Sequence, residues 1–298
     1  MGVVKERSGL AQADRLADRY GGVPVIYVEA DDDRYVFGDC WFKHWLSRIE
    51  FQAAALQCGT AGCSGVIDAV ASDRQAGNFA WGIVDRDTVM SRCLWNLVNE
   101  TDDAIYTGLA SQEFGPEIKL LCRWEMENYL IDGLALEQCR AERAMTPERS
   151  ADVVYQELLA DCQMLISHAA INSVCHKYHV KGLGDGYANR FACREEMEAD
   201  IQQGKLASLA AVNAAAHDDY GQQIAHLQAF DQPAETDAIR VTALLRRLHG
   251  KALLERYAHR CKLQDELRGT LANRILEMKR VPAEIEEFVE HVIRQSQT

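Results

Sequence analysis

Four carboxylates at two strand-like ends are the side chains of this sequence best placed to do chemistry. In VIYVEADDDRYVF, Val25 to Phe37, an apolar run ends in Glu29, and Asp33 follows four residues later. In GIVDRD a second apolar run ends in Asp85 and Asp87. Crowded carboxylates repel each other and are costly to take out of water. A hard divalent cation, Mg²⁺ or Mn²⁺, offsets that cost, and metal held by carboxylates suits phosphoryl transfer and phosphodiester cleavage. On an extended segment Asp85 and Asp87 point the same way and Arg86 points away. If the two strands are neighbours, the four acids converge. Asp31 and Asp32 read instead as capping or solvated residues.

The elements that must position these acids follow from hydrophobic patterning. VPVIYVEA reads as a short buried strand, and FQAAALQCG as a second one. SGVIDAVASDRQAG reads as a helix ended by Gly77, NFAWGIVDRD as the next strand, and EIKLLCRW as a further one before the helical EMENYLID. Beyond Leu134 strand signals nearly vanish, and VKGLGDGYANR is the main interruption of a helical pattern. The expectation is an α/β domain over residues 1–135 and a mainly α-helical part over 136–298. In open α/β sheets, ligands bind beyond the carboxyl ends of the strands, where these acids lie.

Composition bounds the function classes. At 298 residues and 48% hydrophobic, the chain can bury a sizeable core, and its net charge of −13 argues against a nonspecific polyanion binder. Charge is uneven: from Arg240 to Arg280 eleven Lys/Arg stand against four acids. That +7 segment is either a set of solvated helical faces or a local phosphate-binding surface. The ten cysteines include no CxxC pair and read as reduced thiols; Cys175-His176-x-x-His179 lacks the second Cys pair of a zinc site. No apolar run approaches a membrane span, and MGVVKERSGLAQADRLADRY has no apolar signal core, so a cytoplasmic location is expected.

Two family patterns meet on these residues. VDRDT fits the DxDxT pattern of haloacid-dehalogenase-like phosphatases, with Asp85 as nucleophile, and GLGDGYAN echoes that superfamily's downstream GDGxND. Against it, GDG follows KYHVKGL rather than a strand, Arg190 replaces the last acid, and Glu29 goes unused. Glu29, the Glu29-x-x-x-Asp33 spacing, Asp85-x-Asp87 and RWEMENYLID (Arg123 to Asp132) together resemble the TOPRIM domain, in the version found in OLD-family nucleases and their stand-alone, AriB-like relatives. LHGKALL, Leu248 to Leu254, is similar to a late Lys-containing motif of the same proteins. Ala30 stands where topoisomerase-type chains have Gly, and no third Asp follows Asp87.

The resemblance implies a TOPRIM (Rossmann-like, mostly parallel) sheet carrying a Mg²⁺- or Mn²⁺-dependent endonuclease. Glu29 is then a metal ligand or general base, Asp33, Asp85 and Asp87 complete one or two metal sites, Glu127 adds a further ligand or supports one, and Lys251 stabilises the scissile phosphate. It further implies the toxic effector of a PARIS-type anti-phage system, cutting RNA, tRNA first, once released from an AriA-like ABC-type ATPase by a phage trigger protein. A homodimer is compatible with it, and no membrane is involved. The reading from a different class is a non-catalytic subunit that only docks the ATPase.

Overall fold

Val25–Val28 forms β1, and every residue of it is buried. Buried on both faces, it reads as a continuous apolar run rather than an alternation. It lies inside a four-stranded sheet of order β2-β1-β3-β4, where β2 is Glu50–Ala53, β3 Ala80–Val84 and β4 Ile118–Leu120. β1 runs parallel to both neighbours, with Val25 opposite Glu50 on one side and Ala80 on the other. The carboxyl ends of β1 and β3 therefore come out at the same end of the sheet. The computed structural model describes residues 23–55, 62–263 and 267–296. The expectations for the N-terminal twenty residues and for the end of FQAAALQCG lie outside them.

Helix α1, Gly62–Gln75, follows β2 and packs on β3. Gly82 explains how closely: a Cβ there would sit 2.6 Å from Val66 Cγ1 and 3.0 Å from Ile118 Cδ1. Tyr27 donates its hydroxyl proton to Asp73 at 2.6 Å, which satisfies a buried pair between β1 and α1. Gly77, at φ +85°, ends the helix segment as its sequence position predicts.

The chain forms two compact units. The first comprises residues up to 84 together with 114–119 and 281–298, so the C-terminal helix returns to the sheet; Lys119 meets Glu284 of that helix at 3.6 Å. The second comprises 85–113 and 120–280. The contiguous boundary expected at residue 135 differs from this division, because hydrophobic patterning cannot show that a terminal helix packs back on a distant strand.

The second unit is helical. Its main elements are α2 (Gly133–Ala144), α3 (Ala151–Lys177), α4 (Gly250–Cys261) and α5 (Leu267–Glu277). Helix α3 is long and apolar enough to cross a membrane, but 83% of its apolar window is buried inside the protein. It is the core helix of this unit, contacted by α2, α4 and several shorter helices. The mixed composition expected, an α/β sheet plus a mainly helical part, is what the chain adopts.

Candidate active site

In the first unit, Glu29 follows β1 directly. Gly62, at φ +78°, sits beside it, its Cβ position 3.8 Å from Glu29 Oε2. Asp33 accepts the Ala30 backbone N–H at 3.1 Å, so the residue expected on the metal does capping work. Asp31 pairs instead with Arg34 at 3.0 Å in an exposed contact. Glu29 and Asp33 belong to this unit, and Asp85, Asp87, Glu127 and Lys251 to the other.

In the second unit, DRDT is a helical turn and not the extended segment expected. Thr88 N–H reaches Asp85 O at 3.2 Å, Met90 N–H reaches Asp87 O at 2.9 Å, and Asp87 N–H bonds Trp124 O at 3.1 Å. Arg86 is fully buried. Its guanidinium donates to the carbonyls of Cys122 (2.9 Å), Leu97 (3.0 Å) and Glu100 (2.8 Å) and lies 4.0 Å over the Tyr106 ring. Arg86 thereby fixes the turn that carries Asp85 and Asp87. A helix C-terminus presents unpaired carbonyls, and here a buried cation takes them.

The two late motifs are bonded to each other. Asn128 of MENYL is fully buried; its Nδ2 donates to Leu245 O at 2.9 Å and Leu248 O at 2.8 Å, and its Oδ1 accepts the Glu125 N–H at 3.1 Å. Gly250 must be glycine, since a Cβ would fall 2.5 Å from Asn128 Oδ1 and 2.7 Å from its backbone nitrogen. This contact brings the start of α4 onto the MENYL turn. Glu125 Oε1 then accepts the Lys251 backbone N–H at 2.8 Å, one of the donors a helix leaves unpaired in its first turn. Lys251 Nζ lies 3.5 Å from Glu125 Oε2 and 3.8 Å from Glu127 Oε1. Arg268, from α5, pairs with the same Oε1 of Glu127. Glu125 and Glu127 are buried, 4% and 3% exposed, so these cations are what make their charge tolerable.

The electrostatics tie the Asp85–Asp87 turn to this cluster. Desolvation by neighbouring atoms, then the negative fields of Glu125 and Glu127, pushes the Asp87 carboxyl above its ordinary value, while the residue itself is exposed to solvent. Burial likewise raises Glu125 and Glu127. Burial would lower Lys251, but Glu125, Glu127 and Asp85 outweigh it and hold the ammonium protonated. His249, next to Lys251, is pushed down to about 4 by burial and stays neutral at pH 7.

The donor set is all oxygen, which suits Mg²⁺. Four carboxylates (Asp85, Asp87, Glu125, Glu127) are gathered with two cations (Lys251, Arg268), and Asp185 adds its negative field. Among the described residues no group of three or more His, Cys, Asp or Glu is gathered closely enough to be a ready metal cage. Mg²⁺ sites for phosphoryl transfer are commonly built from one or two carboxylates, water and substrate phosphate.

Several expectations do not survive. Arg246 and Arg247 are buried, 8% and 1% exposed, and cannot form an open phosphate-binding surface. Burial, with Arg86 nearby, pushes Arg247 down to about 9. Arg240, Arg256 and Arg280 of the same segment pair with Asp231, Asp161 and Asp132 at 2.7, 2.8 and 2.7 Å. Elsewhere, Cys175 is buried in α3, and His176 bonds Met90 O at 3.0 Å. All nine described cysteines are free thiols.

Glu125, Asn128 and Arg268 were missed. Glu125 had a signal, being the first acid of EMENYL two residues before Glu127. Arg268 had none, because nothing local links it to Glu127. Asp185 of the GDG loop was also missed as a neighbour of this cluster; its field reaches Glu125 and His249. The loop is held by Asn172, paired with both backbone groups of Leu183 at 2.7 and 3.1 Å, and by His168 on Gly184 O at 3.1 Å. No family model, no curated protein and no solved structure matches this chain.

Proposed function

We propose that this protein is a TOPRIM-type, Mg²⁺-dependent nuclease. The observation that supports it best is the direct bonding of its two late motifs, which sets Lys251 against Glu125 and Glu127 within the field of Asp85 and Asp87. In this reading Asp85, Asp87 and Glu127 hold the cation. A bound Mg²⁺ would polarise the scissile phosphate and lower the pKa of an attacking water. Lys251, kept protonated by its neighbours, stabilises charge building on a phosphate oxygen. Asn128 and Gly250 fix the register of Lys251 against Glu125. Glu29 and Asp33, in the first unit, enter through the resemblance alone, as general base and further ligand. The same resemblance supplies the biological setting: an anti-phage effector, held by an ABC-type ATPase partner and acting on RNA, tRNA first.

The test is end-sequencing of nucleic acid after induction of the wild-type chain, Glu29→Ala, Asp87→Asn and Lys251→Ala, with cleavage of a purified tRNA pool in Mg²⁺ and after chelation. New ends that need Mg²⁺, Asp87 and Lys251 are expected. Wild-type and Asp87→Asn profiles that coincide would sink the proposal. A docking subunit gives no new ends but keeps its ATPase complex, and a phosphatase releases phosphate from monoesters without cutting the chain.

A further inference from the structure

Arg190, at the end of the GDG loop, is a cation that the fold leaves without a carboxylate. Arg240, Arg246, Arg256 and Arg280 each meet one. Among the described residues none takes Arg190, which is exposed. Its guanidinium carbon lies instead 5.1 Å over the Tyr187 ring and 5.3 Å over the Phe191 ring, and those two rings are 5.2 Å apart. The segment is held firmly. The Tyr187 hydroxyl donates to Asp200, Asn189 Nδ2 to Glu255 at 3.4 Å, and Arg256 to the carbonyl of Ala188 at 2.8 Å. Tyr187 also stacks on His168 at 6.1 Å, His168 meets His249 edge-on at 6.1 Å, and His249 meets Trp124 at 5.7 Å. Burial keeps both histidines neutral at pH 7. One row of rings, all inside the second unit, therefore joins Arg190 to His249, two residues before Lys251.

We infer that Arg190, backed by Tyr187 and Phe191, is a binding subsite for one unpaired nucleobase of a single-stranded nucleic acid. It rests on the nuclease reading and names how that site holds its strand. An exposed guanidinium already packed on rings offers its outer face to the next planar group, and unpaired bases bind on aromatic and guanidinium planes. A free phosphate suits the place less well, because Asp200 and Glu255 are bonded into the same segment and repel it. A chain of net charge −13 also gains little from backbone charge, so stacking is the contact open to it. A base locked in a duplex has no free face to give. The subsite thus selects unpaired from paired strand, whatever the sequence.

The test needs neither metal nor cleavage. A fluorescein-labelled single-stranded RNA of about ten nucleotides is titrated with the full-length chain in EDTA and read by anisotropy, beside the same strand as DNA, as a duplex, and with its bases removed. Arg190→Ala weakens binding of either single strand about tenfold, at the wild-type melting temperature. Arg190→Lys keeps the charge but loses the plane, so it recovers only part of that loss. The gap between wild type and Arg190→Lys is present on the strand with bases and closes on the strand without them. Charge alone gives no gap on either strand, and a structural role gives a gap on both. Phe191→Leu, which removes one backing ring, weakens the same strand about threefold and serves if Arg190→Ala does not fold. No binding by wild type, binding that these variants leave unchanged, or a duplex held as tightly as the single strand overturns the inference. Cleavage in Mg²⁺ by wild type against Asp87→Asn judges the nuclease reading separately. If Asp87→Asn is dead and Arg190 does not affect binding, only the subsite has failed. If wild type does not cut but Arg190 governs binding, only the nuclease reading has failed.

Discussion

Asn128→Ala tests whether the contact between the MENYL turn and the start of α4 is what builds the site. The amide is fully buried and makes three hydrogen bonds, to Leu245 O, Leu248 O and the Glu125 N–H. Each is worth about 1 kcal/mol net, with more lost where a buried group finds no substitute. Leu245 O retains the Trp124 N–H at 3.0 Å, which limits the damage at that carbonyl. Truncation also leaves a small void beside Gly250. The expected loss is about 2–4 kcal/mol, or a fall of roughly 10 °C in melting temperature at about 2–4 °C per kcal/mol. Asn128→Asp keeps the shape and the acceptor for Glu125 but replaces Nδ2, the donor to both carbonyls, with an oxygen that faces them, so it is expected to be no better. Urea unfolding followed by tryptophan fluorescence reads the loss, since Trp124 adjoins the contact. If Asn128→Ala costs less than about 1 kcal/mol, or Asn128→Asp matches wild type, the amide is not the tie described here.

Other consequences are open to measurement. Gly82→Ala forces a Cβ to 2.6 Å from Val66 Cγ1 and should cost about 1–3 kcal/mol in thermal unfolding; a neutral effect would mean that α1 stands further off β3. Burial alone would raise Glu137, but hydrogen bonds from Arg140 and Arg149 outweigh it and hold its carboxyl down at about 2. A depressed carboxylate stabilises the fold above its unfolded value near 4.5 and loses that contribution as pH falls towards 2, about 3 kcal/mol in all. Glu137→Gln should therefore melt lower than wild type at pH 7, with the gap closing between pH 4.5 and 2; a constant gap contradicts the assignment. Arg86→Met removes a buried cation from four backbone carbonyls and should destabilise the fold strongly and lower cleavage with it; a stable variant with wild-type cleavage would refute its role in holding the Asp85–Asp87 turn.

Much of the architecture was legible in the residues because burial writes itself into local pattern. VIYV and AWGIV are continuous apolar runs, as strands covered on both faces must be, and Gly77 marks a helix end through its positive φ. The long helical stretch beyond Leu134 was equally plain. The acids at the ends of β1 and β3 could be named for the same reason: a charge that stops an apolar run stands out whatever the fold does next.

What the residues could not say is which charges are spent. Arg246 and Arg247 look like any exposed basic pair in the chain, yet packing buries both, and Arg247 lies 4.7 Å over the Trp124 ring. Arg86, expected to point away from the two acids, became the clamp of its turn because the carbonyls that receive it belong to Leu97, Val98, Glu100 and Cys122. Sequence alone determined the strands, the helical run and the acids that interrupt them, since these depend on neighbours along the chain. Only the tertiary structure decided that Asn128 and Gly250 meet, that Glu125 caps α4, and that Lys251 and Arg268 share one oxygen of Glu127. Those facts depend on segments more than a hundred residues apart closing on each other, and no local pattern encodes such a closure.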